Sequence, residues 1–300
     1  MFKKLLIPTD FSLCAEAARR HGLFLAERYT AAVDVLHVAP TSNSHAPPPL
    51  ADAAWRRALA GDAEALAQSC GGSERRHLAR HADPVAAILD VAREVQSDLI
   101  VVGAHGDRGE GFFLSQGIGQ AFVGRTAEQV ARHAGSAVLQ VRMGGGGSPE
   151  QVHRILVPAD DSTLSRRAVE TARALADAYG ARLDLLHVLD GREPDAEAQK
   201  LAAVAMLAAL FEAAPGPAVP VRFHAVRGRP ERVIRRFARR LGTDLVVQGA
   251  HSDQGTDLLG AVAAEVLRTA SCSVLTMRAA PEGRPQLATQ APHERTAPVA

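Results

Sequence analysis

The sequence predicts an α/β protein made of two tandem doubly wound domains, each with a five-stranded parallel sheet. Three observations point there. The first is an internal repeat: Leu5-Leu6-Ile7-Pro8-Thr9-Asp10-Phe11-Ser12 returns as Ile155-Leu156-Val157-Pro158-Ala159-Asp160-Asp161-Ser162, and Leu36-His37-Val38 returns as Leu186-His187-Val188, both at an offset of 150 residues. Ser97 to His105 reappears as Thr243 to His251, so the repeating unit is a whole domain and not a small solenoid element. The second observation is the alternation of short aliphatic runs with Ala-, Arg- and Glu-rich stretches of helical period. The third is that runs such as Leu99-Ile100-Val101-Val102 are apolar on both faces, which a parallel sheet covered by helices on both sides requires.

Taken in order, the first half predicts strands near 3–9, 32–39, 75–81, 98–103 and 136–142, with helices over 13–29, 51–69, 84–96 and 124–134. The second predicts strands near 154–159, 182–189, 219–226, 244–249 and 272–278, with helices over 163–179, 194–213, 230–241 and 260–270. Ser12 and Ser162 stand where N-caps belong, and Pro84 and Pro230 fall in first helical turns. The domains therefore span 1–142 and 152–279. A Gly-rich linker, 143–151, lies between them and is long enough to let the halves pack face to face, while the stretch 280–300 has no apolar period and reads as a disordered tail. Pro40 to Leu50, with three successive prolines, reads as an exposed loop.

Two units of about 140 residues can each bury a core. Aromatics are only 4% of the chain, so that core must be built from Ala, Val, Leu and Ile. The net charge of +1 gives no electrostatic reason to expect nucleic acid or an anionic membrane as partner. After Lys3 and Lys4 only Leu5-Leu6-Ile7 precede Pro8, too short a run for a signal peptide. The longest apolar run, Leu201 to Phe211, is about half of a membrane span. Three cysteines fit a reducing compartment, so a cytoplasmic location is expected.

In an open parallel sheet, ligands collect beyond the carboxyl ends of the strands where the strand order reverses. Asp10 and Asp160 close the first strands; Gly103-Ala104-His105-Gly106 and Gly249-Ala250-His251-Ser252 close the fourth. If first and fourth strands are neighbours, these segments face one another across a crevice. Glycines there let backbone N–H groups approach a phosphate, and the helices starting at Gly124 and Gly260 add their N-termini.

Together these residues resemble the universal stress protein family, over nearly all of residues 1–280 as a tandem pair. The resemblance is carried by Pro8 to Ser12, Leu36 to Val38, Asp83-Pro84, Asp98 to Gly103 and Gly124-Arg125-Thr126-Ala127-Glu128. In the second half it is carried by Pro158 to Ser162, Leu186 to Val188, Gly228 to Pro230, Asp244 to Gly249 and Leu259-Gly260-Ala261-Val262. It implies an adenine nucleotide alpha hydrolase-like fold and a non-enzymatic role in stress response or regulation. It also implies an intramolecular domain pair imitating the dimer of single-domain relatives, with association into a homodimer left open. The implied ligand is ATP, with Mg only as its counter-ion. Asp10 or Asp160 and the backbone near Val38 or Val188 would meet the nucleoside.

The nucleotide-binding branch of that family carries G-x2-G-x9-G-[ST] after the fourth strand. Here Gly103, Gly106 and Gly124 match, but Arg125 replaces the hydroxyl residue and seventeen residues, not nine, separate Gly106 from Gly124. In the second half Gly249 and Gly260 match, Ser252 and Ala261 do not, and seven residues intervene. Ser252 restricts the backbone and Ala261 removes a hydrogen bond, so the second crevice is the weaker candidate. Arg125 can itself pair with a phosphate.

Other signals read as structure. His77 and His81, placed on a strand, lie about 13 Å apart, too far for one ion. His105 and His251 offer one imidazole per crevice, which is no metal site, and His37 and His187 read as packed strand residues. Cys14 and Cys272 read as buried. Gly117-Ile118-Gly119 lacks the strand a dinucleotide fingerprint needs. The insertion Asp107 to Val123, with Phe112-Phe113-Leu114, is a lid, a contact surface, or a segment folded over its own domain. Two alternative readings of the whole are a slow metal-dependent ATP hydrolase and an interaction protein that binds no nucleotide.

Overall fold

The computed structural model describes residues 1–39, 74–81, 83–105, 124–143, 148, 151–189, 196–250 and 259–278. The expected loop at 40–50, helix at 51–69, insertion at 107–123, most of the linker and the tail lie outside the described residues. In chain order the elements are β1 (Lys4–Thr9), α1 (Leu13–Tyr29), β2 (Ala32–Ala39), β3 (Glu74–Arg80), α2 (Pro84–Glu94), β4 (Leu99–Gly103), α3 (Arg125–His133) and β5 (Ala137–Val141). The second half repeats them as β6 (Arg154–Pro158), α4 (Thr163–Tyr179), β7 (Arg182–Leu189), α5 (Ala196–Ala213), β8 (Val221–Arg227), α6 (Pro230–Leu241), β9 (Leu245–Gly249), α7 (Ala261–Thr269) and β10 (Ser273–Met277).

Local chemistry fixes the helix ends. Ser12 Oγ accepts from the Ala15 N–H and Ser162 Oγ from the Ser165 N–H, both at 3.2 Å, and Asp83 caps α2 by accepting from Val85 at 2.9 Å. Pro84 and Pro230 occupy first turns, where a missing N–H costs nothing. Gly242 ends α6 at φ 60°, a left-handed conformation that suits glycine.

The strands form one ten-stranded sheet in the order β3-β2-β1-β4-β5-β10-β9-β6-β7-β8. Every pairing is parallel except β5 with β10, which is antiparallel through Val138↔Thr276, Leu139↔Leu275 and Gln140↔Val274. The halves therefore join edge to edge, which corrects the face-to-face packing expected from the linker. The physical reason is that β5 and β10, buried throughout, would otherwise each present an open edge of unpaired backbone groups. Antiparallel joining also turns the carboxyl rims of the two half-sheets in opposite directions.

Apolar side chains alternate between two cores, one on each face of the sheet and each drawing residues from both halves. Leu5, Ile7, Leu99 and Val101 enter the core under α1, α4 and α5; Leu6, Ile100 and Val102 enter the one under α2, α3, α6 and α7. Polar contacts stitch the seam. Tyr29 donates to the Ala174 carbonyl at 2.9 Å, Tyr179 stacks on Phe24 with its hydroxyl 3.3 Å from His21 Nδ1, and Arg28 meets Asp177 at 3.0 Å. On the other face Arg278 donates to the carbonyls of Ala131, at 3.0 Å, and Arg132.

Tyr29 and Tyr179 are the only tyrosines in the chain, and both sit in this seam. Burial pushes the Tyr29 phenol up to about 12 and raises Tyr179 as well. The neutral phenol belongs to the folded state, so the stability it contributes is fully present below the ordinary phenol value of about 10 and is lost as pH rises through about 12. In an alkaline titration followed by tyrosinate absorbance, most of the signal should be absent at pH about 11 and should appear together with unfolding. A tyrosine ionising near pH 10 in the folded chain would contradict the seam.

Candidate functional site

The crevice opens where β1 and β4 part. Their pairing covers only Leu5↔Leu99 and Leu6↔Ile100, while β1 stays paired with β2 as far as Thr9↔His37. The second half splits in the same way after Ile155↔Leu245 and Leu156↔Val246. Pro8 and Pro158, which have no N–H to offer a ladder, lie just past each split. Because β1, β4 and their neighbours are parallel, Asp10, Gly103, His105, Gly124, Arg125 and Thr126 gather at one rim, as the sequence implied. Asp160, Gly249, Gly260 and Ala261 gather at the equivalent rim of the other half. Gly106, His251 and Ser252 lie outside the described residues.

The loop after β1 is held by short bonds. His37 Nδ1 donates to the Thr9 carbonyl at 2.9 Å, and His187 Nδ1 donates to the Ala159 carbonyl at the same distance. These histidines, expected only to pack, anchor the carboxyl end of each first strand. Phe11, 47% exposed and at φ 64°, lies with its ring 4.7 Å from the His37 ring. Asp10 is exposed and accepts from the Ser12 N–H at 3.1 Å. Asp160 accepts from the Ser162 N–H at 3.0 Å and also from the Ser165 hydroxyl at 2.6 Å, a bond the first half cannot make because Ala15 stands there.

Gly103 is needed for a reason the sequence did not disclose. A Cβ at this position would come within 2.8 Å of the Cys14 carbonyl carbon and 2.9 Å of the Ala15 nitrogen, so glycine lets the start of α1 cross β4. Gly249 repeats this against Leu164 Cβ, at 2.9 Å. Gly124 donates to the Ala104 carbonyl at 2.7 Å, drawing the start of α3 against the end of β4. Among the described residues neither Gly124 nor Gly260 supplies a side-chain cap, so the first-turn N–H groups of α3 and α7 face the rim uncapped. Arg125 and Ala261 are exposed, Thr126 is half-buried, and Val38 and Val188 are half-buried against the second core.

Cys14 is buried with Sγ 4.0 Å from His105 Nδ1. Cys272 is buried too, and burial pushes its thiol up to about 12, which leaves it neutral and inert at ordinary pH. His77 spends its Nε2 on Asp34, and among the described residues no three His, Cys, Asp or Glu side chains gather to hold a metal ion. No helix among them is long and apolar enough to cross a membrane.

Sequence reasoning missed one polar device. Asp34 and Asp184, each only 2% exposed, accept from His77 Nε2 and His224 Nε2 at 2.7 Å, and Arg154 Nε lies 3.5 Å from the second oxygen of Asp184. The pairs lock β2 to β3 and β7 to β8. Their signal was present: a carboxylate inside an apolar strand, Val33-Asp34-Val35, returning 150 residues later as Leu183-Asp184-Leu185.

Fold and crevices together define a tandem doubly wound α/β protein with an open crevice at the switch point of each half. The sequence profile of the universal stress protein family matches residues 1–142 and again 151–278, and the chain belongs to that family. A universal stress protein from Archaeoglobus fulgidus DSM 4304 superposes with a TM-score of 0.62 over 92% of this chain and 96% of its own, at 19% identity. A Pseudomonas aeruginosa UCBPP-PA14 chain assigned to the universal stress proteins gives 0.69 over 92% and 93%, at 16% identity. At those identities the likeness establishes the fold.

The contact at Gly103 is directly testable. Gly103→Ala should cost about 1–3 kcal/mol, because the obstructing atoms are backbone and cannot rotate away. Gly135→Ala, with nothing within 4 Å of the added methyl, should leave the denaturant midpoint almost unchanged. Equal midpoints for the two variants would remove the steric argument.

Proposed function

We propose that this chain is a non-enzymatic stress-response or regulatory protein of the universal stress protein family that binds ATP in its first-half crevice, the second crevice being degenerate. The observation that carries the reading is the parting of β1 from β4, with the Asp10 carboxylate on one side and the start of α3, N-capped by a glycine and carrying Arg125 and Thr126, on the other. Such a notch pairs a carboxylate suited to hydroxyl or amine donors with N–H groups suited to phosphate oxygens. The second crevice offers less because Ala261 stands at the helix start where the first has Arg125. The reading without turnover is supported by the sequence motif, whose glycines are accompanied by no carboxylate pair such as general acid–base work would use. Mg enters only as the counter-ion of the nucleotide.

Calorimetric titration of Mg-ATP into the full chain tests this. One nucleotide should bind per chain. Asp10→Asn should weaken binding about tenfold, equivalent to about 1.4 kcal/mol, and Asp160→Asn should leave it unchanged. Phosphate release should be no faster than in buffer. No heat with the unmodified chain would favour the interaction protein that binds no nucleotide, and release of ADP would favour the hydrolase.

A further inference from the structure

Helix α6 presents a continuous arginine face. Arg229 at its cap and Arg232, Arg235, Arg236, Arg239 and Arg240 within it are all exposed, while Ile234, Phe237 and Ala238 are buried against the sheet. At 3.6 residues per turn the six arginines fill one arc of about 140° and about 16 Å of helix length. No carboxylate or apolar side chain falls inside that arc. Beside it, between α6 and α7, lies a cleft of about 520 Å³ where Arg232 and Arg235 face Arg268. Glu231 and Glu265 are the cleft's carboxylates, and Glu265 is paired with Arg268.

The fold does not ask for this charge. In the first half α2 occupies the same place, buries Ala87, Ile88 and Ala92 in the same way, and exposes Asp90, Arg93 and Glu94. Six like charges on one helix repel one another, a cost that a polyanion relieves. The net charge of +1 conceals the face because it averages over the whole chain, whereas a polyanion responds to charge within a Debye length of about 8–10 Å.

We propose that the α6 face is a docking surface for double-stranded nucleic acid, held through its phosphates without reading sequence. Guanidinium groups match phosphate oxygens in bidentate fashion. The apolar side of α6 is already committed to the core, which removes the insertion that anchors an amphipathic helix in a bilayer. The arc carries no aromatic side chain for stacking unpaired bases and no Asn or Gln for base edges, so duplex backbone is the partner it fits. This surface is separate from the ATP crevice and stands or falls independently of it.

The test is anisotropy of a labelled DNA duplex of arbitrary sequence titrated with the full chain across about 50–200 mM salt. Micromolar binding at the low-salt end is expected, with a log–log salt slope of about −4 to −5. Replacing Arg232, Arg236 and Arg239 by Glu should weaken binding at least about thirtyfold. Replacing the same three by Gln should lower the slope by about three and serves if the reversal variant fails to fold, while Arg93→Glu on α2 should change nothing. The proposal is overturned if the duplex fails to bind at about 100 µM protein, if the Gln variant keeps the full slope, or if phosphatidylserine vesicles bind and the duplex does not.

Discussion

The antiparallel pairing of β5 with β10 is the constraint from which the rest of the architecture follows. Each half ends its sheet on a strand buried throughout, and such a strand cannot be left as an open edge. Pairing the two satisfies both edges at once and merges what would be four half-cores into two continuous ones, one on each face. It also brings α1 against α4, where the Tyr29 and Tyr179 contacts close the seam, and lets Arg278 reach the carbonyls that end α3. Because the pairing is antiparallel, the crevices open at opposite rims of one sheet. No single small ligand can span them, so residues at one crevice can change without disturbing the other.

Each crevice is a consequence of where pairing stops. β1 leaves β4 after two paired residues but stays with β2, held there by the imidazole bond from His37 to the Thr9 carbonyl. The same bond recurs from His187, so it belongs to the shape of the rim and not to whichever ligand one rim accepts. Gly103 belongs to the shape as well: without it α1 could not start so close to β4, and Asp10 and Ser12 would move with the helix. A glycine after the fourth strand is thus required by packing before any phosphate is considered.

Much of this was legible in the chain. The offset of 150 residues, the doubly apolar strands and the capping serines were enough to set element order, the parallel half-sheets and the rim at which Asp10 and Gly103 meet. What escaped is long-range. A glycine linker permits many relative placements, and only the buried edges of β5 and β10 select one. The Asp34–His77 and Asp184–His224 pairs join strands about 40 residues apart, and nothing local announces which histidine a buried carboxylate will meet. The arginines of α6 were visible at helical spacing, but whole-chain charge averaged them away.

Duplication supplies an internal control that a single domain lacks. Features present twice, namely the serine caps, the histidine-to-carbonyl bonds, the buried carboxylate–imidazole pairs and the glycines under α1 and α4, are what this fold needs to close. Features present once are not needed for closure, since the other half closes without them. Ser165 clamping Asp160, Ala261 at the start of α7 and the arginine arc of α6 are all of that kind, and all lie in the second half. One half thus carries a serine-hydroxyl bond on its first-strand aspartate and an arginine face on a neighbouring helix that the other half lacks. The two domains have diverged at their rims and outer helices and also within the shared sheet, where buried Gln248 of β9, donating to the Ala263 carbonyl at 2.9 Å, stands in the place of Val102 of β4.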